Sequence, residues 1–483
     1  MISRRQVISG LAAATVVGFN PATGRWVSEA AAAHGHSPIP RLDGELIFDP
    51  AVLAAYSSDA GNTVHETPLA LLRPGSVEDI VKMVRFAKKF RIKVSARGQG
   101  HTTYGQSLVR GGLMIEMAPL GQIHKIGHRS AEVDAGLRWN SLLEETLQHG
   151  LMPPVLTGYL GLSIGGTLSV GGVSSGNRRG VQVDHVRRLE VVTGKGDLVE
   201  CSVHRHRDLF EAALAGLGQC GIITRAEVDL VPAPEQARTY LLHYVDNATF
   251  FRDLRKLLAR GEFDDLFTLW FPDGAGGWLY QLNAVKFHGP GATPHDNHLL
   301  RGLNFDASLL SIQDQPFLQY ALTVDVAIDF FRSIGLWDNV RHPWFDVFLP
   351  EKAVERYVGE VIPSLQPDDV GMTGFLLLFA FKRHGHARPL FRVPRGEWVF
   401  LFDILTSAPA PGPDPAFEAR MLKRNRRLYE KARSVGGYRY PIGSTPFSKV
   451  DWIRHYGETF PWFVRQKRRY DPACILTPGP DIF

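Results

Sequence analysis

The densest run of residues able to do chemistry is Arg97-Gly98-Gln99-Gly100-His101-Thr102-Thr103-Tyr104-Gly105-Gln106. Its glycines let consecutive backbone N–H groups turn toward one point, a concavity suited to a diphosphate. A dinucleotide fingerprint of the Gly-x-Gly-x-x-Gly kind has to open a helix after a strand. This loop instead joins two segments that read as strands, Arg91–Ala96 and Leu113–Glu116, which disfavours a nicotinamide cofactor seated on a helix N-terminus. Taken alone, the loop is equally compatible with a long hairpin connection in which His101 makes only surface hydrogen bonds.

A second run, Ser163-Ile164-Gly165-Gly166-Thr167-Leu168-Ser169-Val170-Gly171-Gly172, adds the hydroxyls of Ser163, Thr167 and Ser169 to another permissive backbone. Two such loops can sandwich an elongated cofactor. By itself the run could equally be a set of tight turns between short strands, but it falls in the same predicted domain as the first. His384-Gly385-His386 offers two imidazoles without a placed third ligand, so no metal is expected. Asp184-His185 reads as a hydrogen-bonded pair near a surface, and no nucleophile elbow supports Ser/His/Asp hydrolysis.

Local signals place these loops among recognisable elements. Ser76 can cap a helix over Ser76–Phe90 with Asp79 at the reciprocal position, and Val77, Ile80, Val81, Val84 and Ala87 fall on one face. A strand is predicted around Ala131–Ala135. An amphipathic helix over Trp139–Gln148 follows, stopped by Gly150 and barred from continuing by Pro153-Pro154. Alternating patterns at Arg188–Thr193 and Ile222–Leu230 flank a helix over Asp208–Leu217, and Pro232 and Pro234 mark a boundary. Beyond it aromatic residues become frequent, loops such as Gly289–Asn297 lengthen and no Gly-rich phosphate signal occurs. The expected organisation is a cofactor domain over residues 40–235, a substrate-shaping domain over 236–435, and a turn-rich C-terminal return over 436–483 docked on the first.

The chain has 483 residues, 44% of them hydrophobic, enough for two or three folded units. Its net charge of +5 is spread over scattered basic residues, which reads as a solvated surface and argues against nucleic-acid binding. Arg4-Arg5, an apolar run from Val7 to Phe19 and small residues Ala30–Ala33 read as a signal over residues 1–33, outside the fold. The paired arginines and the weakly apolar run narrow this to a twin-arginine signal, which exports proteins already folded around a cofactor to the periplasm or beyond. No second long apolar run occurs, so no membrane span is expected. Three cysteines, Cys201, Cys220 and Cys474, lack metal-like spacing, and one disulfide is conceivable.

Taken together, the glycine loops, Gly216-Leu217-Gly218-Gln219-Cys220-Gly221-Ile222-Ile223-Thr224-Arg225, His342-Pro343-Trp344, Tyr470-Asp471-Pro472 and Pro478-Gly479-Pro480-Asp481-Ile482-Phe483 form an ordered set. The set resembles the FAD-linked oxidases of the vanillyl-alcohol-oxidase type, most closely the cytokinin dehydrogenase branch, from about residue 45 to the C-terminus. The resemblance implies an α+β fold with a two-part FAD-binding domain and a second α+β substrate domain. It also implies FAD attached covalently through His101. Ala96, Gly98, Gln99, Gly100, Thr102 and Gln106 would line its pyrophosphate and ribityl chain, and Ser163, Thr167, Ser169, Val173, Ile223 and Thr477 would contact it elsewhere. Some relatives add a cysteine link before the second loop, but Tyr159 stands near that position, so a single bond is implied.

Two departures leave the reaction open. The branch carries an aspartate before a tyrosine-leucine pair to accept the substrate's amine proton, whereas here Thr157-Gly158-Tyr159-Leu160 puts a glycine there. General-base help is typically worth about 10²–10⁴-fold, so either another base serves or the substrate is not a cytokinin. Pro480 replaces a glutamine expected near the flavin. Candidate replacement bases are Tyr159, by adjacency, and Asp346, two residues after Trp344. Two functions fit: an oxidoreductase passing hydride from a small alcohol or amine to FAD and on to oxygen or a quinone, or a flavin-binding protein with little turnover that holds a small ligand.

Overall fold

The computed structural model describes residues 16–20, 23, 25–28 and 37–483, apart from 177, 274–276, 372, 384–387 and 409–413. The three largest sheets among the described residues carry the fold. The first is four-stranded: Glu45–Ile47, Ala70–Arg73, Leu113–Glu116 and Val94–Arg97 lie side by side in that order, with the last three parallel. Its face is covered by the helix Val77–Phe90, whose Ile80, Val81, Val84 and Ala87 are buried as the periodicity requires. Ser76 caps this helix by accepting from Asp79 N–H. Asp79 does not complete the expected reciprocal box. Its carboxylate turns to the backbone N–H groups of Asp43, Gly44 and Gly75, each at 2.8–2.9 Å, because the chain before the first strand passes directly beside it.

The second sheet has five antiparallel strands in the order Leu198–Ser202, Val186–Thr193, Gly221–Asp229, Ser130–Asp134, Ile123–Ile126. The helices Trp139–Leu147 and Arg207–Ala213 pack beside it in a continuous apolar core. The third sheet, of eight antiparallel strands, carries the long aromatic part of the chain: Ser311–Pro316, Gln236–Tyr244, Trp278–His288, Asp265–Pro272, Phe375–Lys382, Trp398–Leu405, Phe345–Pro350 and Tyr438–Arg439. One face of it packs on the helices Asn247–Arg260, Glu351–Val361 and Pro415–Ser434. Phe348, Phe379, Phe381, Val399 and Leu401 on the other face join the core of the five-stranded sheet, so one hydrophobic core spans both units.

The C-terminal return is richer than turns. It forms the helices Lys449–Tyr456 and Phe460–Tyr470 before the tail, and the tail docks on the first sheet through Val94 N–H to Ile475 O at 2.8 Å and Thr477 N–H to Val94 O at 2.7 Å. At the other end, part of the segment expected to lie outside the fold is ordered. Val16–Asn20 pairs with Arg25–Ser28 and with Ser37–Pro38. Phe19 and Trp26 are large enough to bury against Phe86 and Phe90 at the end of the first long helix, which accounts for the difference while the segment is attached. All three cysteines are free thiols. Among the described residues no helix is long and apolar enough to cross a membrane.

Candidate active site

The loop after Val94–Arg97 is held open by a buried carboxylate that no local pattern announces. Asp59 accepts from Gly105 N–H at 2.6 Å, Thr102 Oγ1 at 3.0 Å and Gly61 N–H at 3.1 Å. Burial outweighs these donors and the nearby Arg97 and pushes the Asp59 carboxyl up to about 6. Arg97 donates to Ser58 O at 2.5 Å and lies over the Tyr56 ring. Gly100 sits at φ +62° with its α-carbon against that guanidinium, where a Cβ would lie 2.4 Å from Arg97 Nη2. With the carbonyl of Gly100 accepting from Ala60, the backbone N–H groups of Gln99, Gly100, His101 and Thr102 are left without an acceptor among the described residues. Consecutive free donors of this kind can turn together toward one anion, and that of the buried Gly100 in particular needs a partner.

The second glycine run is built on the short helix Ile164–Leu168, which hangs from the five-stranded sheet by Ile164 N–H to Leu137 O at 2.9 Å and Gly165 N–H to Ala135 O at 2.8 Å. It meets the first loop where Gly98 faces Ser163 so closely that a Cβ on Gly98 would lie 2.0 Å from Ser163 Oγ. Thr167 accepts from Trp139 Nε1 at 2.8 Å, and Ser169 donates to Gly165 O at 2.7 Å. Those two hydroxyls therefore brace the run itself. Val173 and Ile223 are buried beside it. Ala215, Leu217 and Thr477 all adopt left-handed backbone, a strained state for residues with a side chain. They are fixed there by Ala215 N–H to Leu168 O, Leu217 N–H to Ser169 O, and Thr477 Oγ1 to Gly218 O.

A buried ion pair locks this convergence. Lys467 Nζ lies 2.9 Å from Asp471, donates to Gln219 O at 2.9 Å and Leu476 O at 3.1 Å, and is 2% exposed. Asp471 in turn accepts from Ile475 and Leu476 N–H. The strings Gly216–Arg225 and Tyr470–Pro472 thus meet in space, and both serve to hold the tail. Gln106 ties the first loop to the segment before the C-terminal helices. Nε2 donates to the carbonyls of Pro441, Ile442 and Gly443 at 3.1–3.2 Å while Oε1 accepts from Tyr104 N–H.

His101 projects from the nest into a box of rings. Its imidazole centroid lies 5.1 Å from Tyr159, 5.4 Å from Trp344 and 6.2 Å from Trp337, which it stacks on at 15°. Burial, aided by the neighbouring His342 and Arg332, pushes its pKa down to about 3, so the ring is neutral and its nitrogen lone pair is available. His342 is itself held below its ordinary value by burial; its Nε2 lies 3.1 Å from Trp337 O and its ring packs on both tryptophans. Sequence reasoning missed Trp337, Arg332, Asp325 and Asp59. The apolar and aromatic texture of 330–344 was the only signal for the first.

The turn that carries Gly158 is clamped from the substrate side. Asp325, on the helix Thr323–Ser333, accepts from Leu160 N–H at 2.9 Å and Asn140 Nδ2 at 3.1 Å, and Arg332 Nη1 approaches the Tyr159 hydroxyl at 3.4 Å. Gly158 is exposed and an added Cβ would meet nothing within 4 Å. Tyr159 is therefore beside His101, whereas Asp346 lies deeper, 1% exposed on the wall of the eight-stranded sheet. Asp184 accepts from Val181 N–H and adds its charge to that of Asp229 beside His185, whose ring faces Asp229 and Arg179 O. His384 and His386 lie outside the described residues.

A family profile described as an FAD binding domain matches residues 68–202. Another, described as cytokinin dehydrogenase 1, FAD and cytokinin binding, matches residues 268–483. The chain belongs to the cytokinin dehydrogenase family of FAD-linked oxidoreductases. It is 35% identical over 488 residues to cytokinin dehydrogenase 4 of Oryza sativa subsp. japonica, covering 92% of this chain and 90% of that one. Cytokinin dehydrogenase 1 of Arabidopsis thaliana is 32% identical over 484 residues, covering 92% and 83%. An uncharacterized oxidoreductase, ORF5 in the fasciation locus of Rhodococcoides fascians, is 34% identical over 440 residues, covering 91% and 99%. The chain is thus an FAD-dependent oxidoreductase, and its residues fit the cofactor. The free N–H nest suits a diphosphate, and the Gly98–Ser163 crossing leaves two glycine loops facing one site.

Proposed function

We propose that this protein carries FAD covalently on His101 and oxidises a CH–NH group of a small amine, with a CH–OH group of an alcohol as the second substrate class. The observation that carries the reading is a neutral imidazole standing at the edge of a nest of unpaired backbone donors and enclosed by Tyr159, Trp337 and Trp344. A neutral nitrogen lone pair is what a bond to the flavin ring requires, and protonation would block it. When bound, FAD supplies the two-electron acceptor, and oxygen or a quinone removes the electrons afterwards.

The chain's own residues then have separate tasks. The backbone N–H groups of Gln99 to Thr102 bind the diphosphate. Gly98 and Ser163 set how closely the two loops approach, and Thr477 closes the site from the tail. Trp337 and Trp344 exclude water around His101 and offer flat apolar surface to a substrate, while the Asp325 and Arg332 contacts fix the Tyr159 turn at the mouth. The relatives named cytokinin dehydrogenases favour an amine substrate. Gly158 argues that proton transfer is handled differently here. The twin-arginine reading of residues 1–33 adds that the protein is exported already folded around its flavin.

The test is an anaerobic bleaching screen of the purified yellow protein with amines, alcohols and an adenine-derived cytokinin. Bleaching by an amine supports the reading, and bleaching by alcohols alone moves the substrate to CH–OH. A yellow protein that none of them bleaches would instead be a flavin-binding protein with little turnover.

A further inference from the structure

Asp346 and Asp403 stand directly opposite each other on adjacent antiparallel strands of the eight-stranded sheet. Side chains alternate along a strand, so Asp346 shares a face with Trp344 and Phe348. Trp344 is the residue whose indole meets the His101 ring, and Phe348 belongs to the core shared with the FAD-binding sheets, whereas Phe345, Val347 and Leu349 face the other way. The pair therefore lies on the wall that looks toward the flavin site, one step beyond its aromatic box.

The two carboxyls are 1% and 3% exposed. Among the described residues no N–H or O–H reaches either oxygen of Asp346 or Oδ1 of Asp403. Two carboxylates in contact and without donors cannot both be ionised, and one proton between them supplies the missing donor. Burial raises both groups, and the negative charge of Asp346 raises Asp403 further.

The other titratable groups facing the pair tie it to both glycine loops. Arg439 Nε is buried without an acceptor beside Asp346, and its Nη2 donates to Gly443 O at 2.9 Å. That same carbonyl is held by Gln106 of the first loop at 3.2 Å. Gly443 packs so tightly that a Cβ there would lie 2.0 Å from Asp346 Oδ2. Tyr440 lies near both carboxyls, and its hydroxyl is met by the backbone N–H groups of Gly172 and Val173 in the second loop.

We propose that Asp346 and Asp403 hold one proton between them and that the pair, through Asp346, accepts the substrate's N–H proton in place of the carboxylate missing at Gly158. The inference rests on the amine-oxidation reading above. In the step, the C–H hydrogen leaves as hydride, taking the bond's electron pair with it to FAD, and the N–H bond breaks with its proton passing to Asp346. The nitrogen's freed pair completes a C=N bond. The pair goes from one proton to two and returns one to solvent after product leaves. Asp346 is the acceptor and Asp403 its positioning residue.

The test uses the holoenzyme and its Asp346→Asn and Asp403→Asn variants, with benzylamine and an adenine-derived cytokinin as probes. Anaerobic bleaching should slow by about 10²–10⁴-fold in Asp346→Asn, and stay within about tenfold of wild type in Asp403→Asn, which keeps the acceptor and gives it an amide donor. A second readout needs no turnover. The folded wild type holds a proton at neutral pH that the unfolded chain releases, so its Tm falls as pH rises from the ordinary carboxylate range through neutrality, and either variant should flatten that fall. Unchanged bleaching in Asp346→Asn, or a Tm profile that neither variant flattens, would overturn the inference while leaving amine oxidation standing. Failure of both amines to bleach the wild type would overturn the amine-oxidation reading and this inference with it.

Discussion

Replacing Gly98 by alanine puts a methyl group where the two glycine loops cross. Its Cβ would lie 2.0 Å from Ser163 Oγ and 3.1 Å from Ser163 Cβ, against an ordinary carbon contact of about 3.5–4.0 Å. The loops must part by more than an ångström or Ser163 must swing away, and at 2% exposure Ser163 has little room to do so. Overpacking of this kind costs about 1–3 kcal/mol. Charged against FAD binding, that lowers affinity about 5- to 150-fold. The assay is titration of FAD into apoprotein of a His101→Ala background, where the flavin exchanges freely, followed by quenching of its fluorescence. Ser163→Gly removes both offending atoms, so the Gly98→Ala/Ser163→Gly double variant should regain most of the lost affinity. If Gly98→Ala binds FAD as tightly as its parent, or Ser163→Gly restores nothing, the crossing does not set the cofactor site.

Lys467→Met should strand the Asp471 carboxylate in the core, at a cost of about 3–5 kcal/mol; a lower Tm and faster proteolysis of the tail after Tyr470 would register it. Burial holds His455, like His101, down to about 3, so the unfolded chain binds protons between pH 6.5 and 3 that the fold refuses. Stability is therefore present above the ordinary histidine range and lost as pH falls through it, by at most about 1.4 kcal/mol per pH unit for each ring. His455→Leu should lessen that loss in a series of Tm measurements from pH 7 downward. Gly158→Asp should leave Tm unchanged, since a Cβ there meets nothing within 4 Å, and should speed bleaching by an adenine-derived cytokinin.

What could be read from the chain was local. The helix over 77–90 announced itself through Ser76 and its apolar period, and the glycine loops through composition, because nests and close backbone approaches need residues without side chains. Gly98 and Ser163 are where the two loops cross, Gly100 packs on Arg97 of its own loop, and His101 is where the rings gather. The box around His101 was not legible, since Trp337, His342 and Trp344 come from more than 230 residues further along and arrive only once the eight-stranded sheet has formed. Asp59 carries no pattern at all. Asp346 was visible as a candidate, but its partner Asp403 depends on strand register, which a single sequence does not fix. The C-terminal helices do carry local signals: Ser448 with Asp451 is a complete capping box, and Pro461 opens the next helix. The N-terminal segment differs for another reason, since its apolar residues serve a signal and a packed strand equally well.

The most direct measurement is acid precipitation of the purified mature protein beside its His101→Ala variant, followed by the absorbance of pellet and supernatant. The account predicts a yellow pellet for the native chain, and flavin released entirely into the supernatant for the variant. Flavin freed from the native protein by acid would contradict attachment through His101. A colourless protein from cells supplied with riboflavin would contradict the flavin site itself.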